Sequence, residues 1–68
     1  MINEYSTDQE RTVKFLDALG VGYDVQIRED SVYVHIVEGY DKVEGYRLFF
    51  ADFKFNLDGS FIKIIIGE

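Results

Sequence analysis

His35 is the one histidine of the chain and the side chain best suited to acid–base chemistry, and the strand pairing argued below sets Asp24 across from it. A carboxylate beside an imidazole can orient a base, but catalysis also needs a nucleophile or an electrophile site gathered in a pocket. Ser31 and Ser60 fall in predicted turns, where a hydroxyl serves local hydrogen bonding. The expected role of Asp24 and His35 is therefore a cross-strand polar pair, able to make binding sensitive to pH near about 6 to 7. Asn56-Leu57-Asp58-Gly59 has the look of the middle of a calcium loop, yet Lys54 stands where the first carboxylate belongs and Ile65 where the bidentate Glu belongs. Gly20-Val21-Gly22 is no phosphate cradle, because no strand precedes it and no helix follows. No Cys is present, so disulfides and thiolate zinc sites are excluded. No catalytic constellation, metal site or cofactor motif emerges, and the chain is read as a non-enzyme.

The elements that must carry these residues are organised around Tyr46 to Ile66, where most of the aromatic and branched bulk lies. Asp58-Gly59 marks a β-hairpin there, since a tight turn needs positive φ at its centre. Pairing Leu57 with Ser60 sets Phe55 against Ile62, Phe53 against Ile64 and Ala51 against Ile66, which makes one face wholly apolar. A three-residue loop would put Phe53 or Phe55 opposite Lys63, so it is the poorer choice. Upstream, Gly22 to Arg28 and Ser31 to Glu38 alternate cleanly. A turn on Glu29-Asp30, with either two or four residues in the loop, pairs Ile27 with Val32, Val25 with Val34 and Tyr23 with Ile36. Residues Thr7 to Leu19 form the predicted helix, with Ser6/Gln9 or Thr7/Glu10 at capping-box spacing and Thr12, Phe15, Leu16 and Leu19 facing inward. Gly20 ends it, and Val21 folds back onto Leu16.

Gly39 to Gly45 is a polar connection to a third strand that starts near Tyr46. The echo of Val37-Glu38-Gly39-Tyr40 in Val43-Glu44-Gly45-Tyr46 is far too short for a structural repeat and marks two strand ends flanking a loop. Residues 1–68 are thus expected to form a single α+β domain, an N-terminal helix packed on one face of a four-stranded antiparallel sheet, an αββββ meander. At 68 residues only about 60% of the unfolded surface is removed from water, so stability is marginal. The covered face would hold Val25, Ile27, Val32, Val34, Phe49, Phe53, Phe55, Ile62 and Ile64. The opposite face would collect Tyr33, Val37, Tyr46, Leu48, Phe50, Phe61 and Ile65 beside Asp24, His35, Asp52, Lys54 and Lys63. That surplus of apolar groups is read as a docking surface, with packing beneath the Gly39 to Gly45 loop or the N-terminal arm as the plainer alternative.

Seven Lys and Arg against thirteen Asp and Glu give a net charge of −6, a field that repels phosphate backbones and favours basic partners. Direct nucleic-acid binding is not expected. No run reaches the roughly 20 apolar residues of a membrane span, and Met1-Ile2-Asn3-Glu4-Tyr5-Ser6 lacks the basic and apolar regions of a signal peptide, so a cytoplasmic location is expected.

In size and charge the chain resembles the small inhibitors that phages encode against host nucleic-acid enzymes, including anti-CRISPR and anti-restriction proteins. The resemblance covers overall character and no motif. It implies steric or charge-mimicking occlusion of a basic groove on a larger protein. Asp24, Glu38, Asp41, Glu44 and Asp52 are then the candidate anions, and Tyr33, Val37, Tyr40, Tyr46, Leu48 and Phe50, with His35 among them, the contact surface. A second expectation from the residues is a structural homodimer or oligomer, built by pairing open sheet faces or edge strands without catalytic activity.

Overall fold

A computed structural model describes residues 6–37, 42–45 and 49–67, Val37 by its backbone alone. It contains one helix, α1 (Asp8–Leu19), and four strands, β1 (Asp24–Arg28), β2 (Ser31–Val37), β3 (Phe50–Asn56) and β4 (Phe61–Gly67). The strands form one antiparallel sheet in the order β1-β2-β3-β4, the predicted meander. The expected start of the third strand near Tyr46 lies outside the described residues.

Of the two capping pairs the sequence offers, the structure uses Thr7 and Glu10. The Glu10 N–H donates to Thr7 Oγ1 at 3.1 Å and the Thr7 N–H donates to Glu10 Oε1 at 2.9 Å, a reciprocal box that satisfies two otherwise orphaned donors. At the other end Gly20 takes φ 76°, and the Val21 N–H donates to the Leu16 carbonyl at 2.9 Å, closing the helix as expected. The helix is rolled about its axis relative to the expectation. Leu16 is buried and Val13 packs beside it, whereas Phe15 and Leu19, both expected inside, are 61% and 51% exposed. Val13, Phe15, Leu16 and Leu19 span a wide arc, and the packing partner selects which part of that arc turns inward.

β1 and β2 pair as the alternation predicts, with Ile27 opposite Val32, Val25 opposite Val34, and Arg28 opposite Ser31 across a two-residue turn in which Glu29 holds φ 53°. The predicted Tyr23–Ile36 pairing falls outside β1, which begins at Asp24.

The β3–β4 connection is the three-residue loop that register arguments disfavour. The Asn56 N–H donates to the Ser60 carbonyl at 2.8 Å and the Gly59 N–H to the Asn56 carbonyl at 2.9 Å, with Gly59 at φ 91°. That loop shifts the register by one residue. A β-bulge opposite Lys54 and Phe55 then shifts it back, so that Phe55 meets Phe61 while Lys54 meets Lys63, Phe53 meets Ile64 and Ala51 meets Ile66. Two irregularities cancel, and the apolar register survives. The predicted Phe55–Ile62 pair is replaced by Phe55–Phe61, whose rings meet edge to face at 5.7 Å, and Phe61 moves from the face where it was expected to the helix side.

The start of the helix is tied to this turn. The Gln9 N–H donates to the Gly59 carbonyl at 2.9 Å, and the Phe61 N–H donates to Asp8 Oδ2 at 2.8 Å. Gly59 itself is buried against Thr7, and a Cβ at that position would stand 2.6 Å from the Thr7 Cβ.

The core is small. Val32, Val34 and Ile36 of β2, Phe55 of β3 and Leu16 of the helix are buried, with Val13, Val21, Tyr23, Val43 and Phe53 packed around them. A helix is about 10 Å wide and four strands span about 15 to 20 Å, so one helix covers the two inner strands and leaves the outer two bare on the same side. Exposure follows that geometry: Val25 and Ile27 of β1 are 48% and 71% exposed, and Ile64 and Ile66 of β4 are 49% and 67% exposed. The expectation that one helix covers the whole face is corrected accordingly. Val25, Ile27, Ile62 and Ile64, assigned to the covered set, are exposed.

Candidate functional site

On the side of the sheet away from the helix, alternation brings Arg28 of β1, Tyr33 and His35 of β2, and Phe50, Asp52 and Lys54 of β3 to one surface. The register places His35 between Asp24 and Asp52, and Tyr33 between Gln26 and Lys54. The sequence pairs His35 with Asp24. The structure keeps Asp24 across from it in register, but the imidazole turns to the other neighbour, and His35 Nδ1 contacts Asp52 Oδ1. A carboxylate only accepts, so Nδ1 carries the proton and donates, and Nε2 is the nitrogen left over.

Asp52 is the centre of the arrangement. It is 5% exposed, and its second oxygen accepts from Arg28 Nη2 at 3.3 Å. A buried carboxylate must be paired, and these two donors pair it from both sides. Arg28 reaches it by lying over the Tyr33 ring, with the guanidinium carbon 4.1 Å from the ring centroid, and Lys54 Nζ lies 5.7 Å from the same ring. Phe50 stacks on His35 at 5.9 Å between centroids and 28° between planes. The carboxylate fixes the imidazole and the guanidinium, and those in turn fix the two aromatic rings.

Asp24 and Glu44 are exposed, and Tyr33, His35 and Phe50 are half-buried. Asp52 is corrected: it is no free anion for a partner, since Arg28 and His35 already hold it. The candidate residues Glu38, Tyr40, Asp41, Tyr46 and Leu48, and the Val37 side chain, lie outside the described residues. Arg28 was not singled out by sequence reasoning. The signal was present, for Arg28 shares the outer side of β1 with Asp24 and Gln26, one diagonal step from Tyr33.

The His35–Asp52 pair has the form of a base and its orienter, but among the described residues no serine hydroxyl stands beside it. Ser31 shares its side of β2 four residues away, about 13 Å at the rise of a strand. Ser60 is engaged in the turn, its hydroxyl donating to Asp58 Oδ1 at 2.7 Å and accepting from Asn56 Nδ2 at 2.9 Å. Among the described residues no group of three or more His, Asp or Glu side chains converges to hold a metal ion, and no helix is long and apolar enough to cross a membrane.

The charge on this surface is mixed. Arg28, Lys54 and Lys63 stand against Asp24 and Asp52, so the described acidic excess sits instead on the helix, on the Glu29-Asp30 turn and at Glu44 and Asp58. What the arrangement can do is present aromatic and guanidinium groups on one surface. Tyr, Phe and Arg are residue types that concentrate binding energy when a partner buries them. No protein-family model matches the chain, and no curated protein and no solved structure matches it either.

Proposed function

We propose that the chain is a small acidic protein-binding module, an inhibitor that occludes a surface of a larger basic, nucleic-acid-handling protein in the manner of anti-CRISPR and anti-restriction proteins. The observation that carries this reading is the ordered Arg28–Tyr33–His35–Phe50 surface around the buried Asp52. Ion pairs around a buried carboxylate are weak evidence for stability. Here they hold together, on the side of the sheet away from the helix, residue types that dominate protein interfaces, with Tyr33, His35 and Phe50 half-buried and Arg28 exposed. The net charge of −6 supplies long-range attraction to a basic partner, while the mixed charge of the array supplies short-range fit. Occlusion of this kind needs contact chemistry more than charge mimicry.

The test is competition. The purified chain is titrated into complexes of basic nucleases and CRISPR effector proteins with fluorescent nucleic acid. The reading expects displacement by the chain, weakened by Tyr33→Ala and by added salt. Failure to displace nucleic acid from any of them, or displacement indifferent to Tyr33→Ala, overturns it.

A further inference from the structure

Among the described residues β4 is an edge of the sheet, and all its ladder partners are on β3. Its seven residues, Phe61 to Gly67, contain one charge, Lys63, and no proline. Edge strands normally carry charges, prolines or bulges that stop another chain from pairing with them. Among the described residues β4 has such protection at its start and at Lys63. At the start the bulge bends the strand, and the Phe61 N–H is taken by Asp8. From Ile64 to Gly67 the strand carries no charge, proline or bulge, and alternate residues turn their N–H and C=O groups away from β3. On the helix side of the same edge Ile62, Ile64 and Ile66 are 40%, 49% and 67% exposed, next to a shallow groove lined by Phe15, Phe53 and Phe61 together with Asp8, Arg11 and Thr12.

We propose that β4 pairs antiparallel with β4 of a second copy about a two-fold axis, joining two four-stranded sheets into one. This goes beyond docking on a different protein, because it leaves the Tyr33 surface free. Two observations select a second copy as the occupant. From Lys63 to Gly67 β4 carries no carboxylate, in a chain with thirteen, so along that stretch, beyond the Asp8 carboxylate at its start, two acidic copies can pair without anions of the strand opposing each other. The strand is also complementary to itself. With the axis at Ile64 or at Ile65, Lys63 falls opposite Ile65 or Gly67 of the second copy and never opposite its own equivalent. Cross-strand like charges are avoided, and the isoleucine rows of the two copies meet on the helix side.

The experiment is sedimentation of the full chain over a hundredfold concentration range. The expected mass is twice 7.9 kDa, and Ile64→Lys is expected to weaken the dimer at least about 10-fold while the far-UV spectrum is kept. Ile27→Lys, on the opposite edge, leaves the dimer intact. Mixed isotope-labelled and unlabelled wild-type chains, read by filtered nuclear Overhauser effects, cover the case in which Ile64→Lys does not fold: contacts between copies appear at Ile64 and Ile66. A monomer at every concentration, a dimer lost with Ile27→Lys, or inter-copy contacts confined to residues outside β4 overturns the proposal. Displacement of nucleic acid by a monomeric Ile64→Lys chain separates the fate of this proposal from that of the inhibitor reading.

Discussion

Replacing Asp52 by alanine removes the one acceptor that serves both His35 and Arg28. Leaving a buried polar group unpaired costs about 1 to 3 kcal/mol, and up to about 3 to 5 when a fully buried charge is orphaned. Neither limit applies whole. The Arg28 side chain is 48% exposed and regains water, so its share is small; the His35 side chain is 21% exposed and regains it only in part. The expected loss is about 2 kcal/mol, mostly from His35 and from the cavity under the carboxylate. A domain of 68 residues has about 3 to 10 kcal/mol in total, so this is a large fraction, equivalent to a fall of about 10 °C in Tm. The assay is urea unfolding followed by far-UV circular dichroism and tyrosine emission, at one fixed chain concentration because an assembling chain gains stability with concentration. His35→Ala and Asp52→Ala together should cost about 1 kcal/mol less than their sum, since they break one interaction. An Asp52→Ala chain within about 0.5 kcal/mol of the wild type, or strict additivity with His35→Ala, refutes the claim that Asp52 organises this surface.

Gly59→Ala places a methyl 2.6 Å from the Thr7 Cβ at φ 91°, and is expected to lower stability by about 1 to 3 kcal/mol and to expose the Gln9 amide to hydrogen exchange. Leu16→Ala should cost about 2 to 4 kcal/mol, whereas Leu19→Ala, at a position 51% exposed, should stay within about 1; the reverse order in chemical denaturation would mean the helix is rolled the other way. Hydrogen bonds from Thr7 hold the Glu10 carboxyl below its ordinary value, and the Ser60 hydroxyl and amide do the same for Asp58. Groups lowered on folding stabilise above their unfolded values and lose that contribution as pH falls through the folded ones, so an acid melting series should show stability dropping below about pH 4, less steeply in Glu10→Gln. Tyr23 is raised, chiefly by its hydrogen bond to Asp17, so its contribution is complete below about pH 10 and is lost as pH rises through the folded value; Tyr23→Phe should flatten the alkaline limb.

Much of this fold is legible in the residues. Thr7 with Glu10, and Gly20 followed by Val21, mark both ends of the helix by side-chain chemistry that acts locally. The alternation of Val25, Ile27, Val32 and Val34 fixes the first hairpin because any one-residue slip would turn apolar groups outward. The second hairpin shows the limit of that argument. Matching apolar faces constrains the net register of β3 and β4, and a three-residue loop followed by a bulge gives the same net register as a two-residue turn. Only the Phe61 face distinguishes them, and the Asp8 carboxylate that takes the Phe61 N–H comes from 53 positions earlier in the chain. The roll of the helix was hidden for a similar reason, since its apolar arc is wide enough to dock in more than one way. In the candidate site the sequence placed Tyr33, His35, Phe50 and Asp52 together, but it read Asp52 as an anion for a partner. A carboxylate on a polar strand face looks solvated until the neighbouring strands are in register, and here that register brings in His35 and lets Arg28 reach across from β1. The apolar surface expected on the face away from the helix rests partly on Val37, Tyr46 and Leu48, whose side chains lie outside the described residues. Among the described residues the exposed apolar surface lies mainly on the helix side, along the two outer strands, because a single helix is narrower than the sheet.

The most direct test of the docking account is calorimetric titration of the chain into purified basic nucleases and CRISPR effector proteins, with Tyr33→Ala and, as a control on the helix side, Arg11→Ala. The account predicts saturable binding to at least one of them, weakened about 10-fold or more by Tyr33→Ala, unchanged by Arg11→Ala, and weaker as salt rises. No binding to any of them, or binding that Arg11→Ala abolishes and Tyr33→Ala leaves untouched, would contradict it.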